Sequence, residues 1–123
     1  MGQVRSGDGD AWLIPKSLEQ LLGLCQRAGQ LGSGDVAVEQ ALKKRKANLL
    51  ILAEDASGRT REKFVYLAQS FGVPCYIVGT RDELGLALGK AHRAAVAVQS
   101  RDFTKGIVGI LEKEGLTPVP GRR

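Results

Sequence analysis

A short, unbroken apolar run near the middle of the chain is the clearest feature of its hydropathy pattern. Leu49–Ala53 is entirely apolar, stops at Glu54 and Asp55, and gives way to an amphipathic stretch that ends before Gly72-Val73-Pro74. A run this short without a polar residue is typical of a strand that is covered on both faces, as in layered α/β proteins. Ligands of such sheets gather beyond the strand ends, so the carboxyl end of this strand is the first place to expect a functional site.

Helical and extended patterns alternate along the chain. Apolar residues at three- and four-residue spacing predict helices at about 18–28, from 33 or 34 to the basic group 43–46, and at about 58–71, 80–89 and 101–113. Short apolar runs predict extended segments at 30–31, 48–53, 75–78 and 94–98. Ser17 and Thr80 are the expected N-caps of the first and fourth helices, and Asp55 or Ser57 that of the third. The alternation predicts an α/β protein with a mostly parallel sheet between helical layers.

The composition of the two ends differs from that of the middle. We expect residues 1–16 to form a flexible arm whose Trp12 docks on the domain, residues 17–114 to form the domain, and residues 115–123 to be a disordered basic tail. Cys25 and Cys75 have no second thiol at metal or redox spacing, so we expect buried, reduced thiols and a cytoplasmic location. No run approaches the length of a membrane span, and the N-terminus lacks a signal-peptide core.

The charge of the chain favours an anionic partner. Its 18 Lys and Arg against 13 Asp and Glu give a net charge of +5 and an isoelectric point near 9.5, which favours a polyanion such as nucleic acid. The basic group Lys43-Lys44-Arg45-Lys46 follows a glycine-rich turn, 29–35, that precedes the second helix. A helix start can bind phosphate through its unpaired N–H groups, so turn and basic group together could follow a nucleic-acid backbone. The alternative is an ordinary capped helix with a solvated basic end, which also suits the helix dipole.

Two further patterns are weak signals of an enzyme. The stretch 32–37 matches the dinucleotide fingerprint G-x-G-x-x-A, with Glu54 where a ribose-binding acid would lie. That fingerprint needs a buried strand directly before its first glycine, whereas residues 18–28 have helical periodicity. Glu54 and Asp55 could form an acid/base pair, but neighbours on a strand point to opposite faces. His92 is the one histidine, which excludes a His-rich metal site; between Lys90 and Arg93 it belongs to a binding loop or to an ordinary exposed loop.

Four ordered motifs resemble a known family. The segments 50–57 (LILAEDAS), 73–78 (VPCYIV), 83–89 (ELGLALG) and 94–98 (AAVAV) are similar to those of the L7Ae family of ribosomal proteins, which binds RNA kink-turns. The segment 22–29 (LGLCQRAG) and the turn 33–35 are most similar to the bacterial YlxQ-like branch of that family. The resemblance runs from about residue 18 to 113. It implies a three-layer α/β/α sandwich with a four-stranded, mostly parallel mixed sheet, and RNA binding without catalysis or cofactor.

The resemblance also implies where RNA is held. In the family the start of the second helix, through a G-x-N-E-x-x-K motif, and the loop before the last strand bind RNA. The glycine falls on Gly34, but the Asn, Glu and Lys places fall on Val36, Ala37 and Gln40. Val and Ala side chains cannot hydrogen-bond to base edges, so contacts shift from bases towards phosphates. The expected RNA-binding residues are Gly34, Asp35, Val36, Ala37, Gln40, Lys43, Lys44, Lys90, His92, Arg93 and Ala94.

Two functions follow as hypotheses. The first is a non-catalytic protein that binds structured RNA, kink-turn-like or ribosomal, as a ribosomal or ribosome-associated protein with other ribosomal proteins as possible partners. We expect it to bind neither a membrane nor a small-molecule substrate. The second is a protein-interaction module on the same scaffold, in which Val36 and Ala37 form an apolar contact patch and kink-turn specificity is lost.

Overall fold

The structure is a computed structural model that describes residues 14–119. Helices and strands alternate as α1 Lys16–Arg27, β1 Leu31–Ser33, α2 Asp35–Lys43, β2 Leu49–Leu52, α3 Gly58–Phe71, β3 Cys75–Ile77, α4 Arg81–Leu88, β4 Ala95–Val98 and α5 Arg101–Lys113. Every predicted helix and strand is present. The predicted α/β class is confirmed, and the four strands form one mixed sheet.

The strands lie in the order β1-β4-β2-β3. β2 and β3 pair in parallel, whereas β4 is antiparallel to both of its neighbours. The prediction of a mostly parallel sheet was therefore wrong in this respect, since two of the three pairings are antiparallel. The connection through α4 returns the chain to the end of the sheet at which β3 finishes, so β4 begins where β2 and β3 end.

This topology gives the sheet two distinct ends. Ala95 at the start of β4 pairs with Leu52 at the end of β2, and Val96 pairs with Ser33 at the end of β1. We call the end at which β1, β2 and β3 finish and β4 starts the upper end, and the opposite one the lower end. The loops that precede α2, α3 and α4, and the loop that leads into β4, therefore all meet at the upper end.

The sheet separates two hydrophobic cores. Leu49, Ile51, Val96 and Val98 face α1, α4 and α5, whereas Leu50, Leu52, Ala95 and Ala97 face α2 and α3. All four residues of β2 have no exposed surface, as the apolar run predicted. The three-layer α/β/α arrangement is confirmed.

The helix ends follow the sequence signals with one exception. Ser57 caps α3, because its hydroxyl accepts from the Thr60 amide at 3.1 Å, and Thr80 caps α4 in a reciprocal pair with Glu83. The expected cap of α1, Ser17, lies inside the helix, which starts after Pro15. Proline suits this position for two reasons. Its fixed φ is compatible with the backbone at a helix start, and its missing N–H group is no loss where the first N–H groups have no partner within the helix.

The described terminal residues lie against the domain. Ile14 is 6% exposed within the core that α1 borders. Leu116 packs on the same core, and the Val119 amide donates to the Cys75 carbonyl at 2.7 Å. Trp12 and the rest of the expected arm, residues 1–13, lie outside the described residues, as do residues 120–123 of the expected tail. Within 14–119, no helix has the length and apolar character needed to span a membrane.

Candidate nucleic-acid interface

The start of α2 lies at the upper end with its backbone N–H groups uncapped. Gly34 precedes the helix at φ +92°, a conformation that side chains with a Cβ rarely adopt. Its own amide donates to the Ala95 carbonyl at 3.0 Å, which fixes the turn on β4. Among residues 14–119, no side chain forms a capping hydrogen bond at the start of α2. The N–H groups of that turn are therefore available to an anionic ligand, and the helix dipole favours one.

Arg93 joins the loop before β4 to this helix start. Its Nε donates to the Ser33 hydroxyl at 3.1 Å, and its Nη1 donates to the His92 carbonyl at 3.0 Å. A guanidinium has five N–H donors in one plane, so these bonds hold it in place while leaving other donors for a ligand. The structure thus brings together Gly34 and Arg93, two of the residues predicted from widely separated parts of the chain.

The loop itself is closely packed on α4. Its Lys90 amide donates to the Gly85 carbonyl at 2.8 Å, and its Arg93 amide donates to the Arg81 carbonyl at 3.0 Å. A Cβ built on Gly85 would overlap the Ala91 carbonyl group, so the loop needs glycine there. Lys90 and His92 are exposed, and Ala94 leads into β4, where its carbonyl accepts from Ala53 at 2.9 Å. The loop therefore presents its cationic side chains from a fixed backbone.

The first turns of α2 present mostly uncharged surface. Asp35, Val36, Ala37 and Gln40 are all exposed, and Val36 is 73% exposed. Because residues three and four apart share a helix face, Val36, Gln40 and Lys43 line up along one exposed side of α2. An apolar side chain this exposed at a helix start has no role in the core.

Lys43 and Lys44 lie at the other end of α2. A helix of nine residues is about 13 Å long, so these lysines are near the lower end, where the Asn48 amide donates to the Val98 carbonyl at 2.7 Å. The structure does not bring them to the loop that carries Lys90, His92 and Arg93. They share a helix face with Gln40. A nucleic acid that contacts both these lysines and the upper end must therefore run along the length of α2.

Glu39 compensates part of the charge on this side of the molecule. Its carboxylate binds the ammonium groups of Lys43 and Lys63, each at 2.7 Å. Hydrogen bonds from these two lysines lower the pKa of Glu39 to about 2. Lys43 is therefore less available to a phosphate than Lys44, which has no ion pair within the described residues.

The upper end also holds Arg61 and Arg81, which had not been predicted to lie there. The Asp55 carboxylate accepts from the Arg81 amide at 2.9 Å and lies 3.6 Å from the Arg81 side chain. Arg61 donates to the Glu54 carbonyl at 3.2 Å. These residues follow β2 and β3 in the sequence, and that order was the signal that could have predicted their place at the upper end. Asp55 thus connects two loops. It does not cap α3, which was one of the two predicted alternatives.

These contacts argue against both enzyme interpretations. Asp55 is occupied by Arg81, so it does not share a ligand with Glu54 as an acid/base pair would. The dinucleotide fingerprint falls on β1, an edge strand that pairs antiparallel with β4, whereas a dinucleotide fold places that strand inside a parallel sheet. Among residues 14–119 no group of three potential metal ligands is close enough to hold an ion.

Comparison with known proteins identifies the family. Residues 16–107, three quarters of the chain, match the model of the ribosomal protein L7Ae/L30e/S12e/Gadd45 family. The chain belongs to the L7Ae family. The RNA-binding protein YlxQ of Bacillus subtilis is 35% identical over 92 residues, which are 75% of this chain and 92% of that protein. The predicted resemblance to the L7Ae family and its YlxQ-like branch is confirmed.

Other known proteins share sequence or fold with this one. The large ribosomal subunit protein eL30 of Aeropyrum pernix is 30% identical over 81 residues, 65% of this chain and 81% of that protein. A solved structure of a Bacillus halodurans protein of unknown function has a TM-score of 0.74 at 34% identity and covers 79% of this chain and 97% of its own. The Giardia lamblia 15.5 kD RNA binding protein, at 19% identity and a TM-score of 0.68 over 80% of this chain and 85% of its own, shares the fold.

Proposed function

We propose that this L7Ae-family member is a non-catalytic protein that binds structured RNA at the upper end of its sheet. The observation that carries the proposal is the junction of Arg93 with Ser33: it places a fixed guanidinium beside the uncapped start of α2. Helix N–H groups and arginine are both strong ligands of phosphate. The names of its relatives, RNA-binding protein YlxQ and ribosomal protein eL30, support RNA as the polyanion.

In the proposed mode of binding, phosphates provide most of the contacts. One phosphate lies at the first turn of α2 beside Gly34, and others lie against Lys90 and Arg93. Val36 and Ala37 contact the RNA without hydrogen bonds from their side chains, while the Gln40 amide can donate and accept. Lys44 extends the contact along α2 towards the lower end. Since phosphate contacts are independent of sequence, the RNA is selected mainly by its shape.

The proposed target is a kink-turn-like or ribosomal RNA, bound in the cytoplasm on or near the ribosome. Support for a ribosomal target comes from the name of the Aeropyrum pernix relative. Cys25 and Cys75, which are both free and buried, suit a reducing compartment. We propose no reaction for this protein.

Crosslinking in cells followed by sequencing of the bound RNA tests this proposal. We expect defined, structured RNA segments to be recovered with the wild-type protein and to be lost with the double variant Lys90→Ala/Arg93→Ala. Lys105→Ala, which removes one exposed charge from α5, is the matched control and should recover the same segments. Recovery no different from an uncrosslinked sample, or equal recovery with the double variant, contradicts the proposal.

A protein-interaction module is the second candidate, and one observation favours it. Val36 is 73% exposed at the start of α2, and an apolar side chain in that position suits a protein contact as well as an RNA groove. Affinity purification after nuclease treatment separates the two functions. Partners that remain bound after nuclease, and that are lost in Val36→Ser, support the module; partners that leave with the RNA support RNA binding.

A further inference from the structure

The end of α2 has an unusual backbone conformation at Arg45. A residue with positive φ follows each of the five helices, and at four of them it is glycine: Gly29, Gly72, Gly89 and Gly115, with φ between 69° and 81°. At α2 it is Arg45, with φ 61°, the one non-glycine residue in this region of conformational space within residues 14–119. The left-handed conformation costs an arginine free energy that glycine does not lose.

The backbone of this turn does not require an arginine. The Arg45 amide donates to the Leu42 carbonyl at 3.0 Å, and the Lys46 amide donates to the Ala41 carbonyl at 2.9 Å. These two bonds are those of a Schellman motif, in which glycine is the usual left-handed residue. The turn after α1 makes the same pair of bonds around Gly29. The Arg45 side chain, and not the turn, therefore needs an explanation.

The Arg45 guanidinium lies over one aromatic ring, and the residue is exposed. Its central carbon is 5.1 Å from the centre of the Phe71 ring. A cation–π contact at an exposed site stabilises the fold by about as much as the left-handed conformation destabilises it. Stability alone therefore gives little reason to have arginine here.

The charges around Arg45 are uncompensated. Lys44 and Lys46 flank it, both are exposed, and neither forms an ion pair with a described residue. The nearest acid along the helix, Glu39, is bound to Lys43 and Lys63. The lower end of α2 thus carries a cationic group that is separated from the upper end by about 13 Å of helix.

We propose that Arg45 and Lys46 form a second RNA contact at the lower end, distinct from the one at Gly34 and Arg93. The Arg45 guanidinium, which lies over the Phe71 ring, stacks on an unpaired base, and the Lys46 ammonium binds the adjoining phosphate. Arginine planes and aromatic rings are common stacking partners of unpaired bases. The inference rests on the proposed function in one respect, namely that the bound polyanion is RNA.

Binding of end-labelled fragments of total ribosomal RNA to purified full-length variants tests this inference. We expect Arg45→Gly to weaken binding roughly tenfold, because it removes a stacked base. We expect Lys46→Ala to reduce the slope of log affinity against log salt by about 0.7 to 0.9, because it removes a phosphate contact. Arg45→Lys keeps the positive charge but replaces the planar guanidinium with an ammonium group. It should therefore bind RNA more weakly with an unchanged slope of log affinity against log salt. Lys105→Ala is the control for loss of one charge and should change the affinity least.

Thermal unfolding separates binding from folding. We expect the melting temperature of Arg45→Gly to stay within about 4 °C of the wild type, since relief of the left-handed conformation offsets the loss of the contact with Phe71. Acetylation footprinting of the wild-type protein gives a measurement without any mutation. Bound RNA should protect Lys46 and leave Lys105 reactive.

Wild-type affinity in Arg45→Gly, wild-type salt slope in Lys46→Ala, or equal acetylation of Lys46 with and without RNA would overturn the second contact. That result leaves the proposed function intact if Lys90→Ala/Arg93→Ala still weakens binding. Failure of the wild-type protein to bind the fragments at all would overturn the proposed function together with this inference.

Discussion

Arg93 Nε donates a hydrogen bond to the Ser33 hydroxyl at 3.1 Å across 60 residues of sequence. This contact connects the loop before β4 to the turn before α2, the two segments that hold RNA in the L7Ae family. Because Arg93 also donates to the His92 carbonyl, it fixes the shape of its own loop. The candidate interface is therefore an arrangement of two loops that Arg93 connects.

Replacing Arg93 should affect RNA binding more than folding. We expect Arg93→Ala to weaken RNA binding roughly tenfold, since it removes both a phosphate ligand and the connection to Ser33. Ser33→Ala removes the connection alone and should cost a smaller part of the affinity. Fluorescence anisotropy with a labelled structured RNA measures both variants. If Ser33→Ala weakened binding as much as Arg93→Ala did, Arg93 would act by positioning the loop and not as a ligand.

Two helical glycines should respond in opposite ways to alanine. A Cβ on Gly85 of α4 would overlap the Ala91 carbonyl and lie 2.8 Å from the His92 Cα, so Gly85→Ala should lower the free energy of unfolding by roughly 1–3 kcal/mol. It should also weaken RNA binding, because the loop that carries Lys90 must move. Gly109→Ala of α5 meets open space and should raise stability by up to about 1 kcal/mol. Urea denaturation of both variants measures the difference, and a stable Gly85→Ala with normal binding contradicts the packing described.

Restoring the polar residues of the family motif should restore base recognition. The triple variant Val36→Asn/Ala37→Glu/Gln40→Lys alters three exposed residues, so we expect little change in stability. Each hydrogen-bonded contact to a base discriminates by about 1–3 kcal/mol, and the variant should therefore prefer a kink-turn RNA over a duplex of equal length more strongly than the wild type does. Competition binding with the two RNAs measures this preference. An unchanged preference would mean that the start of α2 does not meet the bases.

The ion pairs of Glu39 should make a pH-dependent contribution to stability. Lys43 and Lys63 lower the pKa of Glu39 from 4.5 to about 2, so the folded state binds this proton less readily than the unfolded state. The contribution is present in full above about pH 4.5 and is lost as the pH falls through that range towards 2. The difference in unfolding free energy between the wild type and Glu39→Gln should shrink accordingly. Glu62→Gln on α3 is the control, and a difference independent of pH would contradict the pairing.

Local signals in the sequence predicted most of the fold. The bounds of α3 at 58 and 71 were predicted as they are observed, because Ser57 supplies a side-chain cap and Gly72 a left-handed end. The direction of β4 was not predicted. It depends on the end of the sheet at which the chain emerges from α4. Neither the periodicity nor the caps of α4 carry that information.

The candidate site was predicted in its parts but not in its arrangement. The glycine-rich turn indicated Gly34, and the charged loop indicated Arg93, but their junction through Ser33 joins positions 60 residues apart and has no local signal. Lys43 and Lys44 were expected to continue from the turn as a basic strip that follows a nucleic-acid backbone. The length of α2 separates them, since each helical residue advances the chain by about 1.5 Å.

Titration of the purified full-length protein with structured cellular RNA at low salt tests the central claim most directly. If four cationic side chains meet phosphates, a complex forms and the logarithm of its affinity falls against the logarithm of salt concentration with a slope of about −3 to −4. Absence of a complex in dilute buffer, or an affinity that does not respond to salt, would contradict the account of an RNA interface held by charge at the upper end of the sheet.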